Sequence, residues 1–244
     1  MRRLKHVSLA IAALYLLPSL ASAGYWAARE RPANWRAADW SASGVLPSPT
    51  ADTRARVAVL AARTGGFKGA FAVHSWIVVK RQGADAYDRY DVVGWGKPVR
   101  RNGYPADGRW YSNTPEIVWQ ADGDKAEALI PRIEAAIAAY PHAEAGSYRL
   151  WPGPNSNTFV AGILRAVPEI DAVLPPHAVG RDYLPGGAFM AYDPKGDLHL
   201  TLYGLAGLSI GVKSGVELHL LGLVAGIDVA RPGVKIPALG RIGV

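Results

Sequence analysis

Residues 151–165, Trp-Pro-Gly-Pro-Asn-Ser-Asn-Thr-Phe-Val-Ala-Gly-Ile-Leu-Arg, leave the backbone little choice. Two prolines and a glycine dictate a rigid turn that hands the chain to Asn155, a strong helix N-cap. Phe159, Val160, Ile163 and Leu164 then recur at helical spacing. The pattern predicts that Ser156 opens a helix. There, unpaired backbone N–H groups and the positive end of the helix dipole favour developing negative charge. A serine so placed suits a nucleophile and equally suits plain capping, so this stretch alone does not decide its role.

A second stretch sharpens the choice. Residues 71–80, Phe-Ala-Val-His-Ser-Trp-Ile-Val-Val-Lys, read as a buried strand carrying His74 at its centre. After a polar turn, residues 87–95 return as a second strand. In a hairpin, one parity places Gly94 opposite His74 with Tyr90 and Val92 further along that face. The other places Trp95 opposite, with Asp91 and Val93 beyond, and the sequence does not choose between them. Asp91 is the leading candidate to orient the imidazole, because a carboxylate fixes the tautomer that accepts a serine proton. Tyr90 is the alternative, and a surface ion pair is the non-catalytic reading of Asp91.

A strand histidine, a polar residue on the next strand and a later Asn155-Ser156-Asn157-Thr158-Phe159-Val160 helix start resemble the circularly permuted papain-like group. That group includes NlpC-type peptidases and lecithin retinol acyltransferase-like proteins, and its nucleophile is a cysteine at the helix start. Ser156 stands at that position here. The longer pattern resembles the bacterial family known as domain of unknown function 3750. It runs through residues 74–78, His-Ser-Trp-Ile-Val; 93–96, Val-Gly-Trp-Gly; 107–111, Asp-Gly-Arg-Trp-Tyr; and 151–160. Neither resemblance supplies a substrate. The first implies a papain-like core with Ser156 as nucleophile, His74 as general base, and backbone N–H groups at the helix start as an oxyanion hole.

With 244 residues, half of them apolar, the chain can bury a substantial core as one domain or one with an extension. The net charge of +7 is spread over scattered arginines without a dense basic stripe, which argues against a nucleic-acid partner. The absence of cysteine excludes disulfide scaffolds, thiolate metal sites and a cysteine nucleophile. Six histidines show no paired spacing, so neither a metal site nor a cofactor is expected.

Residues 1–23 begin with Arg2, Arg3 and Lys5, continue through an apolar run, and end in Ala-Ser-Ala. They are expected to be a signal peptide or, uncleaved, an N-terminal membrane anchor. Either places the remainder outside the cytoplasm, in the periplasm or facing it. Residues 24–53 read as an irregular spacer whose tryptophans pack on the domain or sit at a membrane interface. Residues 97–121 read as a loop region dense in polar and aromatic groups. Substrate contacts are assigned to Arg100, Arg101, Trp110 and Tyr111, with Trp95, Asn155 and Asn157 beside the catalytic candidates. Residues 125–140 have helical periodicity stopped by Pro141. From residue 186 onward the chain turns glycine-rich and alternating. Segments starting at Leu198 and Leu218 are similar at a spacing of twenty, which suggests a duplicated hairpin whose apolar surface completes the core or touches lipid.

The expected fold is α+β: an antiparallel sheet packed by a few helices over residues 54–185, with a β-rich extension over 186–244. The expected function is an exported hydrolase or acyltransferase acting on an amide or ester of the cell envelope, with a small molecule, peptide or lipid as partner. The alternative is a non-catalytic envelope protein that binds a ligand on a degenerate papain-like frame. In that case Ser156 makes capping bonds only and His74 is buried against Trp76 or Trp95.

Overall fold

The structure, a computed structural model, describes residues 2–194 and 196–243. Its centre is an antiparallel sheet of five strands, β1 (Arg56–Arg63), β2 (Val73–Lys80), β3 (Asp88–Val92), β4 (Val99–Arg101) and β5 (Glu116–Asp122), in the order β4-β3-β2-β1-β5. Strands β1 and β2 lie in the middle and are buried on both faces, which is why their sequences are nearly continuous in apolar residues. The pleat sorts their side chains. Val57, Val59, Ile77 and Val79 face α2 (Gly123–Ala138) and α3 (Ser156–Ala166), where they meet Ile130, Ile133, Phe159 and Ile163. Leu60, Trp76 and Val78 face the other way, onto Leu46, Val93 and Trp110 from the loops that cover that side.

Two strands emerge where the sequence reads as loop. Strand β4 and all but the last residue of β5 fall within residues 97–121. β4 is only three residues long, and β5 is a sheet edge whose register with β1 shifts between Val59 and Leu60. Short and edge strands carry weak alternation, so their signal is lost among the turn residues around them. Helix α2 covers residues 123–138 and not 125–140. It starts after Asp122 at Gly123, whose φ of +64° suits glycine, and it tolerates Pro131 inside.

The N-terminal helix α1 (Arg2–Ala27) runs past Ala-Ser-Ala, so residues 24–27 are helical and not spacer. It is seated on the molecule. Tyr15 donates its hydroxyl to the Leu218 carbonyl, Ser22 to the Ala70 carbonyl, and the Trp26 indole to the Gly66 carbonyl at 2.8 Å.

The C-terminal part is a second antiparallel sheet, a seven-stranded meander in the order β12-β11-β10-β9-β8-β7-β6. Its strands are β6 (Met190–Tyr192), β7 (Leu198–Leu202), β8 (Ala206–Gly211), β9 (Gly215–Leu220), β10 (Leu223–Asp228), β11 (Gly233–Ile236) and β12 (Gly240–Gly243). The two similar segments are the adjacent hairpins β7–β8 and β9–β10. The chain is therefore α+β with a β-rich C-terminal part.

Phe159 is fully buried and packs edge-on against Tyr140 at 5.0 Å. Phe159→Ala is expected to cost about 3–5 kcal/mol in urea unfolding. A loss under about 1 kcal/mol would contradict the packing of α3 on the sheet.

Candidate active site

Helix α3 begins with a complete capping box. The Asn155 side chain accepts from the N–H groups of Asn157 (2.9 Å) and Thr158 (3.2 Å), and the Thr158 hydroxyl accepts from the Asn155 N–H at 3.1 Å. Capping is thus done entirely by Asn155 and Thr158. Among the described residues the Ser156 hydroxyl has no hydrogen-bond partner, nor has its own backbone N–H. Ser156 is therefore not a capping serine. The oxyanion hole expected from several N–H groups narrows to the Ser156 amide, because the cap consumes the next two.

The next residue locks the helix to the histidine strand. Asn157 donates its amide to the Val73 carbonyl (2.9 Å) and the Val179 carbonyl (2.8 Å), and accepts from the Ser75 hydroxyl at 2.8 Å. Val73 and Ser75 are the two neighbours of His74, and Asn157 is the neighbour of Ser156. The clasp therefore fixes the start of α3 to β2 at the residues on either side of His74. Both line a cleft of about 520 Å³ with Trp95, Trp110, Tyr111, Tyr148 and Trp151 around them.

The sheet register settles which residues meet the imidazole. Ile77 pairs with Tyr90 and Val78 with Arg89, so Arg89 and Asp91 share the His74 face, while Tyr90 points to the opposite face and joins the core beneath the helices. Tyr90 consequently does not reach the ring. His74 Nε2 lies 3.3 Å from Asp91 Oδ2, which also accepts from the Arg89 guanidinium at 2.8 Å. The ring is stacked on Trp110, with centroids 3.7 Å apart and planes within 5°. Nδ1 makes no hydrogen bond among the described residues, so it is the ring nitrogen left open to accept a proton.

Burial is the strongest influence on His74 and pushes its pKa below the ordinary value of 6.5, with Asp91 opposing. The ring is therefore neutral near pH 7, as a base must be. Burial also works against ionised Asp91, yet the hydrogen bond from His74 and the charge of Arg89 hold its pKa below the usual carboxylate range. Arg89 itself, 1 % exposed, lies 4.0 Å over the Trp76 ring and donates to the Pro105 carbonyl. The sequence reading passed over Arg89. Its one signal was the Arg-x-Asp spacing that puts two opposite charges on one face of a strand.

The remaining assigned residues divide. Trp95, Trp110 and Tyr111 line the cleft. Asn155 and Asn157 border it too, but their amides are committed to the cap and the clasp. Arg100 donates to the Trp95 carbonyl and so braces the rim, whereas Arg101 is clamped on Asp88 at the exposed edge. Among the described residues no three His, Asp or Glu side chains gather into a metal-binding group.

A family model described as a protein of unknown function, DUF3750, matches residues 54–183, more than half of the chain. The chain belongs to the DUF3750 family. That match spans the five-stranded sheet, α2 and α3, and with them every residue of the Ser156–His74–Asp91 arrangement. No curated protein and no solved structure matches the chain.

Asp91→Ala is expected to leave Arg89 as an uncompensated buried charge and to lower stability by about 3–5 kcal/mol. The double change Arg89→Met with Asp91→Ala should recover much of that loss in chemical denaturation. Equal losses in the two variants would show that the ion pair does not couple them.

Proposed function

We propose that this protein is a serine-dependent hydrolase or acyltransferase that acts on an amide or ester through Ser156 and His74. The observation that carries the reading is the idle Ser156 hydroxyl. It sits at a helix start whose capping is already complete, in the same cleft as a neutral histidine backed by a carboxylate. In the reaction the Ser156 hydroxyl gives its proton to His74 Nδ1 while the oxygen attacks the substrate carbonyl carbon. The Ser156 N–H and the helix dipole oppose the charge on the carbonyl oxygen. His74 then returns the proton to the departing amine or alcohol, and water or a second acceptor releases the acyl group from serine. Asp91 holds Nε2 protonated, and Arg89 keeps Asp91 ionised. The papain-like resemblance implies a strand histidine, a polar residue on the next strand and a nucleophile at a helix start, and His74, Asp91 and Ser156 follow that order in the chain. The apolar N-terminal helix supports an envelope substrate, since the 23-residue stretch Lys5–Ala27 has the length and composition to cross a membrane.

One observation favours the alternative, a cleft that binds without reacting. No hydrogen bond joins Ser156 to His74 among the described residues, and the ring is held by its stack on Trp110. In that reading the aromatic walls take up an apolar ligand and the serine stays inert.

A fluorophosphonate probe separates the two. Covalent labelling confined to Ser156 is expected, lost in Ser156→Ala with stability changed by less than about 0.5 kcal/mol. His74→Gln should slow labelling by about 100- to 10,000-fold. No labelling of the wild-type protein would remove the catalytic reading. Because the pKa of His74 is depressed, the midpoint of the acid-side fall in labelling is expected below pH 6.5.

A further inference from the structure

The C-terminal sheet is inside out. Its buried face carries Thr201, Ser209, Glu217, His219, Asp228 and Lys235, joined to one another and to the rest of the molecule by polar contacts. Lys235 Nζ bonds Glu217 at 2.5 Å and the Ser214 carbonyl at 2.7 Å, Arg181 lies 2.7 Å from Glu217, and Ser209 meets His219 at 3.1 Å. Its outward face is apolar, and the register makes the pattern continuous. Tyr192, Leu198, Ile210, Val216, Ile227, Val234 and Ile242 are cross-strand partners in succession, one per strand across all seven. At the usual strand spacing this row is about 29 Å wide. Met190, Leu200, Leu208 and Leu218 form a second row beside it. Ile227 is 53 % exposed and Ile242 66 %. Scattered exposed apolar residues need no explanation, but contiguous rows across a whole sheet mark a surface that meets something apolar.

Helix α1 says what that is. Tyr15 seats it on this face at Leu218, and beyond that contact Leu9, Leu16, Leu17 and Leu20 stand 59–67 % exposed. Helix and sheet thus present one continuous apolar surface. The apolar stretch of α1 is only 11 % buried, so protein does not cover it. The sheet sets the depth: strands of three to six residues are too short to span a bilayer, and the open edges at β6 and β12 could not sit in its centre.

We propose that the outward face of the C-terminal sheet, together with α1, is a monotopic membrane-binding surface that enters one leaflet of a lipid bilayer. The row residues and the leucines of α1 lie among acyl chains, and the arginines at 29, 31 and 36 follow the helix where anionic headgroups would be met. This surface is independent of any chemistry at Ser156. The cleft nevertheless opens beside it, since Leu221 in the β9–β10 turn and Leu223 at the start of β10 line both.

The chain contains no cysteine, so single cysteines can be placed without background. In the full-length protein, Ile227→Cys, Ile242→Cys and Leu9→Cys would each be labelled with an environment-sensitive fluorophore and mixed with phosphatidylcholine/phosphatidylglycerol vesicles. Asp85→Cys, at the β2–β3 turn, is the control. The expected result is quenching of the first three by nitroxide-bearing acyl chains and their protection from added dithionite, with neither effect at position 85. Ile227→Lys combined with Val234→Lys should abolish co-flotation with vesicles at unchanged circular dichroism. Dithionite reduction at 227 and 242 as fast as at 85 in the presence of vesicles would overturn the proposal. So would full protection before vesicles are added, which would assign the face to a second copy of the chain.

Discussion

The Asn157 side chain is the contact on which the site depends. Its amide reaches the backbone of Val73 and the hydroxyl of Ser75, so helix α3 and strand β2 are fixed in register at the residues on either side of His74. An amide that satisfies two carbonyls and one hydroxyl in a buried position has few alternative geometries, because any shift leaves polar groups unpaired. Asn155 performs the complementary task one residue before Ser156, by closing the cap without help from the serine. Between these two asparagines, Ser156 is positioned by its neighbours, and its hydroxyl has no hydrogen-bond partner among the described residues.

Behind the histidine lies a buried charge pair that would be costly alone. Arg89 and Asp91 are each 1 % exposed, and neither would persist as an ion in that setting without the other. The face of Trp76 and the carbonyl of Pro105 complete the environment of Arg89, while His74 takes the remaining demand of Asp91. A pair of this kind is weak evidence for stability, since apolar residues of like volume would pack as well. It does fix an ionised carboxylate at the back of a neutral imidazole, and an aliphatic core could not.

Much of this was legible in the sequence because it rests on local rules. The helix start at Ser156 follows from Asn155 and the Phe159–Leu164 periodicity, and the histidine strand from its run of β-branched and aromatic residues. The meander follows from its glycine turns and alternation. The face that Asp91 shares with His74 was not legible, since parity between two strands depends on the turn between them and a shift of one residue exchanges Asp91 for Tyr90. The edge strands β4 and β5 were hidden by their shortness, and the role of Asn157 by its distance, as its partners lie more than eighty residues away. The inversion of the C-terminal sheet was also invisible, because alternation looks the same whichever face is buried.

The claim most central to the proposed chemistry is that the His74 ring is neutral, with Nε2 protonated toward Asp91 and Nδ1 unprotonated. Nitrogen-15 NMR of the histidine rings near pH 7, with His74 assigned from the spectrum of His74→Gln, tests this directly. The account predicts one protonated nitrogen, Nε2, and an unprotonated Nδ1. A ring protonated at Nδ1, whether as the other tautomer or as the imidazolium, would contradict it.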